Sequence, residues 1–422
     1  MITKQHYPRS IEEKLIWFGL ILTYPFFAFG GLYVSGCVVG WLIFAVVLLR
    51  CYVDKADKSS IIPFIVWVWL VGSLFMLLAL LIAHSNWDLG VAKTVKSSIG
   101  WAKGWALLPL FLFLGAFVDI KPALLIRAVC IVSFHSLLFA LLSILVYLTG
   151  FQGDIFISPL KAIGGPGESF FTVSLFGLNP ETGFGRWRFF APWAPAAGFM
   201  ACIFLIFCCQ ERNNFWRYSG LLGSFIMCLL SQSRVGWAIY VALTPLCFLY
   251  RYFKNPLLLI FVGVILPTFI LLSEPLINWL SSGYADIKAS RPDSTRVRQT
   301  LERLALQRWE SEAPIWGHGI VEKGPKIVEG MPIGTHHSWY GLLFVKGIVG
   351  LLALAIPLIF TSIYLFWYSL KSQICYTAAL MLIVFICYSF FENLEILSFI
   401  YWPALLWIGI ALNPLKSGEK YV

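Results

Sequence analysis

The sequence predicts an all-α integral membrane protein with about twelve transmembrane helices and a large helical loop between spans nine and ten. Three observations predict it. Hydrophobic residues fill 59% of the 422 positions and charged residues only 12%, against roughly 25% charged in a soluble domain. The apolar residues fall in runs of about twenty, the length a helix needs to cross a hydrocarbon core of ~30 Å. The 18 Trp and 17 Tyr suit a chain with two membrane–water interfaces to anchor.

Runs of that kind lie at about 14–34, 37–53, 61–83, 98–118, 123–149, 190–209, 215–232, 235–251, 256–274, 338–368, 374–391 and 396–412. Helices satisfy their own backbone in lipid, so each run reads as one span. Pro25, Pro109, Pro195 and Pro357 fall inside runs and predict kinks. The chain divides accordingly into spans one to nine (1–274), a loop (275–337) and spans ten to twelve (338–422). The first ten residues are polar and basic, and Leu15–Val34 is too long for a cleaved signal, so it reads as an uncleaved anchor. All ten Cys (37, 51, 130, 202, 208, 209, 228, 247, 375 and 387) lie in or beside apolar runs, which predicts neither a disulfide framework nor a CxxC metal site.

Short-loop charge sets the orientation. Lys4, Arg9, Lys14, Arg50, Lys55, Lys58, Lys121, Arg127, Arg212, Arg217, Arg251, Lys254, Lys371, Lys416 and Lys420 all fall on one side, which makes both termini cytoplasmic. Lys93, Lys96 and Lys103, in 84–104, break the pattern. Two long loops then face outward, 150–189 and 275–337. In the second, Asp293-Ser294-Thr295 caps a helix running to about Glu312, and Val297, Leu301, Leu304, Ala305 and Trp309 give it an apolar stripe for the membrane surface.

Four polar features share that outward side. They are Arg186-Trp187-Arg188 before span six, Ser231-Gln232-Ser233-Arg234-Val235-Gly236 between spans seven and eight, the Arg-rich helix with Ala313-Pro314-Ile315-Trp316-Gly317-His318-Gly319, and Thr335-His336-His337-Ser338 before span ten. Guanidinium groups grip phosphate oxygens through a planar fork and stay charged. They also stabilise charge that grows on a leaving diphosphate. A neutral His takes a proton from a hydroxyl near neutral pH. Arginine at a span end also serves as an interfacial anchor, and the loop-helix arginines alternate with Glu302, Glu310 and Glu312 as on a solvated face. His318, between two glycines, reads as a turn residue. Lys346 lies roughly 13 Å into span ten and calls for a partner, Glu392 or Glu395. There is no Walker loop and no carboxylate cluster that demands Mg²⁺, so no cofactor is expected. No nucleic-acid partner is expected either.

The run Thr335-His336-His337-Ser338-Trp339-Tyr340-Gly341-Leu342-Leu343, with Gly347 and Gly350, resembles a signature of the O-antigen ligase and O-antigen polymerase superfamily. Ser233–Gly236 is similar to its Ser-Arg-x-Gly motif, and Arg296 with Pro314–Gly319 to its Arg…Pro-x-x-Gly-x-Gly loop. The resemblance implies a GT-C-like bundle and a metal-independent transferase at the periplasmic face of the bacterial inner membrane. Its implied donor is a glycan on undecaprenyl diphosphate; its implied acceptor is lipid A–core or a second carrier-linked glycan. Membrane lipids surround it. Carried over, Arg234 and Arg296 hold the diphosphate, with Arg186 or Arg188 as the earlier arginine. His336 or His337 is the base; His336 lies eleven residues before Gly347, the family spacing. Trp193 follows Pro192 where the family has Asn. A flippase for lipid-linked oligosaccharides, or another multi-span transporter, is the alternative of a different class.

Overall fold

The computed structural model describes residues 7–53, 62–151, 153–179, 183–250, 292–328, 330–334 and 337–417. The expected span 256–274 lies outside these residues, as does His336. The described helices are α1 (Ile11–Ile21), α2 (Thr23–Ala28), α3 (Leu32–Val53), α4 (Phe64–Asn86), α5 (Val91–Lys103), α6 (Leu107–Phe117), α7 (Pro122–Leu148), α8 (Ala194–Gln210), α9 (Asn214–Ser231), α10 (Arg234–Leu249), α11 (Pro292–Glu312), α12 (Ser338–Ser369), α13 (Gln373–Ser389), α14 (Leu394–Leu412) and the single turn α15 (Pro414–Ser417). Among the described residues, six helical segments are long and apolar enough to cross a membrane, and α8, α10 and α13 are shorter apolar helices. The chain is a multi-pass, mainly helical membrane protein.

Two expected spans are broken. The run 14–34 is α1 and α2, ending in a turn at Phe29-Gly30-Gly31 before α3. The run 98–118 begins earlier, at Val91, and breaks at Gly104-Trp105-Ala106 between α5 and α6. Pro25, Pro109 and Pro195 sit in the first turns of α2, α6 and α8 rather than at kinks, because a first turn has no amide bond for proline to remove. Pro357 is internal to α12.

Helices α8, α13 and α14 form the interior, with nearly every side chain buried. Helix α14 packs on α6, α4 on α12, and α7 and α8 on α9. The α6–α14 crossing is close because a Cβ at Gly115 would strike the Leu406 carbonyl and one at Gly409 the Leu112 carbonyl. Small residues bring membrane helices together in this way.

The two ends of the bundle are built differently. At one end Arg50 pairs with Glu12 (3.2 Å) and Lys121 with Glu13 (3.3 Å). There too Arg127 forks onto Glu211, Nε to Oε2 at 2.8 Å and Nη2 to Oε1 at 2.9 Å, both residues buried. At the other end lie the loops, with short antiparallel ribbons: β1 (Asp154–Ile157) with β2 (Thr172–Ser174), β3 (Gly177–Leu178) with β4 (Gly185–Arg186), and β5 (Glu322–Lys323) with β6 (Pro332–Ile333). Helix α11 does carry the expected apolar stripe. Val297, Leu301 and Ala305 are buried against Val328, Ile333 and Phe344 of the same chain, so the stripe is covered internally instead of facing a membrane surface.

Candidate active site at the loop-bearing end of the bundle

Ribbon β3–β4 places Arg186 at the tip of α9. The Arg186 Nε donates to the Ser231 carbonyl (3.1 Å), Trp187 N to the Leu230 carbonyl (3.1 Å), and the Gln232 amide to the Gly185 carbonyl (2.8 Å). The Arg186 segment is thereby stitched to the turn that carries Arg234. Gln232 takes φ +50° in that turn, and Ser233 caps α10 by accepting from Gly236 N at 3.1 Å. Arg234 is exposed in the first turn of α10.

Arg188 points elsewhere. Its Nε donates to Ser174 Oγ (2.5 Å), its Nη1 to the Pro192 carbonyl (3.4 Å) and its Nη2 to Asp154 Oδ1 (3.4 Å). Those bonds fasten ribbon β1–β2 to the start of α8, and half-burial lowers the guanidinium pKa despite Asp154. Arg296 is exposed on α11.

His337 caps α12. Its Nδ1 accepts from Trp339 N (3.2 Å) and Tyr340 N (3.4 Å), and its ring lies 4.3 Å from Tyr340 and 5.7 Å from Phe390. An accepting Nδ1 puts the proton of the neutral ring on Nε2. Burial depresses the imidazole to about 4.

Beside it is a residue sequence reading weighed only as a partner for Lys346. Glu392, 7% exposed, accepts from Trp193 Nε1 at 2.8 Å, and its carbonyl accepts from Ser338 Oγ at 2.7 Å. Burial raises its carboxyl to about 7, while Arg298 and Arg186 pull the other way. Glu392 and Arg298 therefore share this end with Arg186. Neither carries a motif; their signal is purely spatial. The partner of Lys346 is Glu395, in Coulombic reach inside the bundle.

The Pro314–Gly319 motif has a structural job. Helix α12 breaks at Gly347 (φ +64°, ψ −164°). In a regular helix the amides of residues 348 and 349 bond the carbonyls of 344 and 345. Here Ile348 N donates to the Pro314 carbonyl (2.9 Å) and Val349 N to the Ile315 carbonyl (3.3 Å). The freed Phe344 and Val345 carbonyls accept from His318 N and Gly319 N, each at 2.9 Å. The loop is spliced into the helix. His318, 1% exposed, stacks between Trp87 (5.1 Å) and Phe344 (4.2 Å) and bonds the Glu312 carboxylate (2.8 Å) and the Phe344 carbonyl (3.0 Å). This is the turn role its flanking glycines suggest. Arg308, pairing with Glu312 and Glu322, holds Glu312 down to about 2.

Residues 219–355 match the family model for O-antigen ligase. Over that stretch the chain is similar to the O-antigen ligase and polymerase superfamily. The matched segment runs from α9 through the Arg234 turn, α11 and the splice to the middle of α12. Arg186 and Glu392 lie outside it in sequence and are brought to it by the hydrogen bonds above. Comparison with curated proteins finds no match.

The two titrating neighbours oppose each other in pH. Glu392, raised from 4.5 to about 7, contributes stability that is full below about pH 4.5 and lost as pH rises through 7. The scale is roughly 3 kcal/mol. His337, depressed from 6.5 to about 4, contributes stability that is full above 6.5 and lost as pH falls through 4. The slopes offset between pH 4.5 and 6.5. Glu392→Gln is expected to unmask the histidine: its thermal midpoint in detergent rises with pH across that window while the parent's stays nearly level. A variant profile as level as the parent's would contradict the assignment.

Proposed function

We propose that this protein is a glycosyltransferase moving a glycan from undecaprenyl diphosphate to an acceptor hydroxyl at the periplasmic face of the bacterial inner membrane, as an O-antigen ligase or polymerase does. The observation that carries this reading is the seam that joins the Arg186 hairpin to the Ser231–Arg234 turn, at the end of the bundle where α12 begins. The family match supports it, as does the bias of Lys and Arg in the short loops toward the opposite end, which makes that end cytoplasmic in this reading.

In this reading the acceptor oxygen attacks the anomeric carbon of the donor. The bond from that carbon to the diphosphate oxygen breaks, and its electron pair leaves on the diphosphate. His336 takes the hydroxyl proton. Arg186, Arg234 and Arg296 stabilise the departing charge, the task a divalent cation performs in other transferases. Arg188 serves the loop scaffold, and His337 the helix cap. Lipid A–core sugar is the acceptor of a ligase, a second carrier-linked glycan that of a polymerase.

Reconstitution with carrier-linked repeat units tests the proposal. Arg186→Ala and Arg234→Ala should each lower transfer about 100- to 1,000-fold with membrane insertion unchanged, and His336→Ala should abolish it. His337→Asn should keep transfer, since Asn caps a helix well. Normal glycan products in the Arg234 and His336 variants would sink the reading. Product length then decides between a carrier-linked ladder and a single transfer to lipid A–core.

One observation favours transport instead. Lys346 and His84 are buried inside the bundle, with half-buried Glu395 in Coulombic reach of Lys346, where a transporter keeps its ionisable residues. Movement of carrier across liposomes without a new glycosidic bond would support that alternative.

A further inference from the structure

Helix α5 carries the three lysines that break the charge pattern, and its packing shows why they stand apart. Thr94 Oγ1 meets His84 Nδ1 at 3.1 Å and Trp101 Nε1 donates to the Ser73 carbonyl at 3.0 Å, so one face of α5 lies along α4. At about 100° per residue, Lys93, Lys96, Gly100 and Lys103 fall together on a second face. Val91, Val95 and Ile99 make a third, exposed by 81%, 54% and 51%.

No residue of α5 is buried, and the helix contains no Asp or Glu. Among the described residues, Lys93 and Lys96 form no ion pair with a carboxylate, and a Cβ at Gly100 between them and Lys103 would meet nothing within 4 Å. Lys103 closes the strip: its Nζ donates to the Gly164 carbonyl (3.3 Å) and lies 5.4 Å from the Tyr33 ring. From there Phe170 bridges Tyr33 (5.4 Å) to Trp193 (5.6 Å), the partner of Glu392. The lysines thus run about 15 Å along an amphipathic helix, beside a face of exposed Val and Ile. A basic face beside an exposed apolar face is the arrangement by which an amphipathic helix meets anionic lipid, and a compact ammonium suits phosphate as a point charge.

We propose that the Lys93–Lys96–Lys103 face of α5 binds the phosphate headgroup of an anionic membrane lipid, with the lipid chains lying against Val91, Val95 and Ile99. The proposal stands on α5 alone and does not require the transfer reading.

Native mass spectrometry of the full chain, titrated with phosphatidylglycerol or phosphatidylcholine, tests it. The K93Q/K96Q double variant should retain several-fold less phosphatidylglycerol than the parent, with phosphatidylcholine retention unchanged. K93R/K96R should restore the parent's behaviour, which separates lost charge from damaged folding. Inorganic diphosphate should fail to displace the lipid at concentrations where phosphatidylglycerol competes. Equal phosphatidylglycerol retention by parent and K93Q/K96Q, an equal loss of both lipids, failure of the arginine pair to restore binding, or displacement by inorganic diphosphate would each overturn the proposal.

Discussion

Gly347→Ala is expected to destabilise the protein by about 4 kcal/mol or more and to remove transfer activity with it. At φ +64° and ψ −164° the residue occupies a backbone region that side-chain-bearing residues avoid, at a strain of roughly 1–3 kcal/mol. The added Cβ would also collide with the Ile315 carbonyl. Retreat of the loop then breaks the four backbone bonds between Pro314–Gly319 and Phe344–Val349. Each buried amide or carbonyl left unpaired costs about 1–3 kcal/mol, so relaxing the clash does not recover the loss. Thermal midpoints in detergent measure the effect. Gly100→Ala, in a helix with open space around the site, is the control and should be neutral or slightly stabilising. If both substitutions behave alike, the splice does not hold α12 together.

Glu211→Ala should cost about 3–5 kcal/mol, at the far end of the bundle from the candidate site. Its carboxylate accepts two bonds from Arg127 and one each from the Arg212 and Asn213 amides (2.9 Å). Arg127 is 4% exposed, so removing the partner strands a cation where water cannot reach it. Replacing both at once, with Arg127→Met and Glu211→Met, should recover much of the loss, because no charge then remains to bury. A double variant as unstable as Glu211→Ala would show that the damage is to packing instead.

The sequence foresaw α3, α4, α7, α9, α10, α12, α13 and α14 closely, because hydropathy reports how many apolar residues follow one another. It is blind to where a helix stops bonding to itself. The breaks at Gly104 and Gly347 sit within apolar runs, and the second depends on a loop about thirty residues upstream. The same blindness explains the stripe of α11, whose period was legible and whose partner was not: Phe344 lies in a different element altogether. At the candidate site the arginine and histidine motifs could be read in order, yet the division of labour between Arg186 and Arg188 rests on ribbon pairing that no motif encodes. Glu392 and Arg298 were missed for a simpler reason. Each is an ordinary charged residue until the fold brings Glu392 onto Trp193 and into Coulombic reach of Arg186 and Arg298.

The join at Gly347 also bears on how the chain is made. A helix that spans lipid ordinarily arrives with its hydrogen bonds complete, but α12 is synthesised with two donors and two acceptors that only an earlier stretch of chain can satisfy. Residues 314–319 leave the ribosome first, so their partner is ready when the first turns of α12 emerge. A spacer of even a few residues placed between Gly319 and Ser338 would leave those partners available, whereas one placed inside 314–319 would put the two halves of the joint out of step.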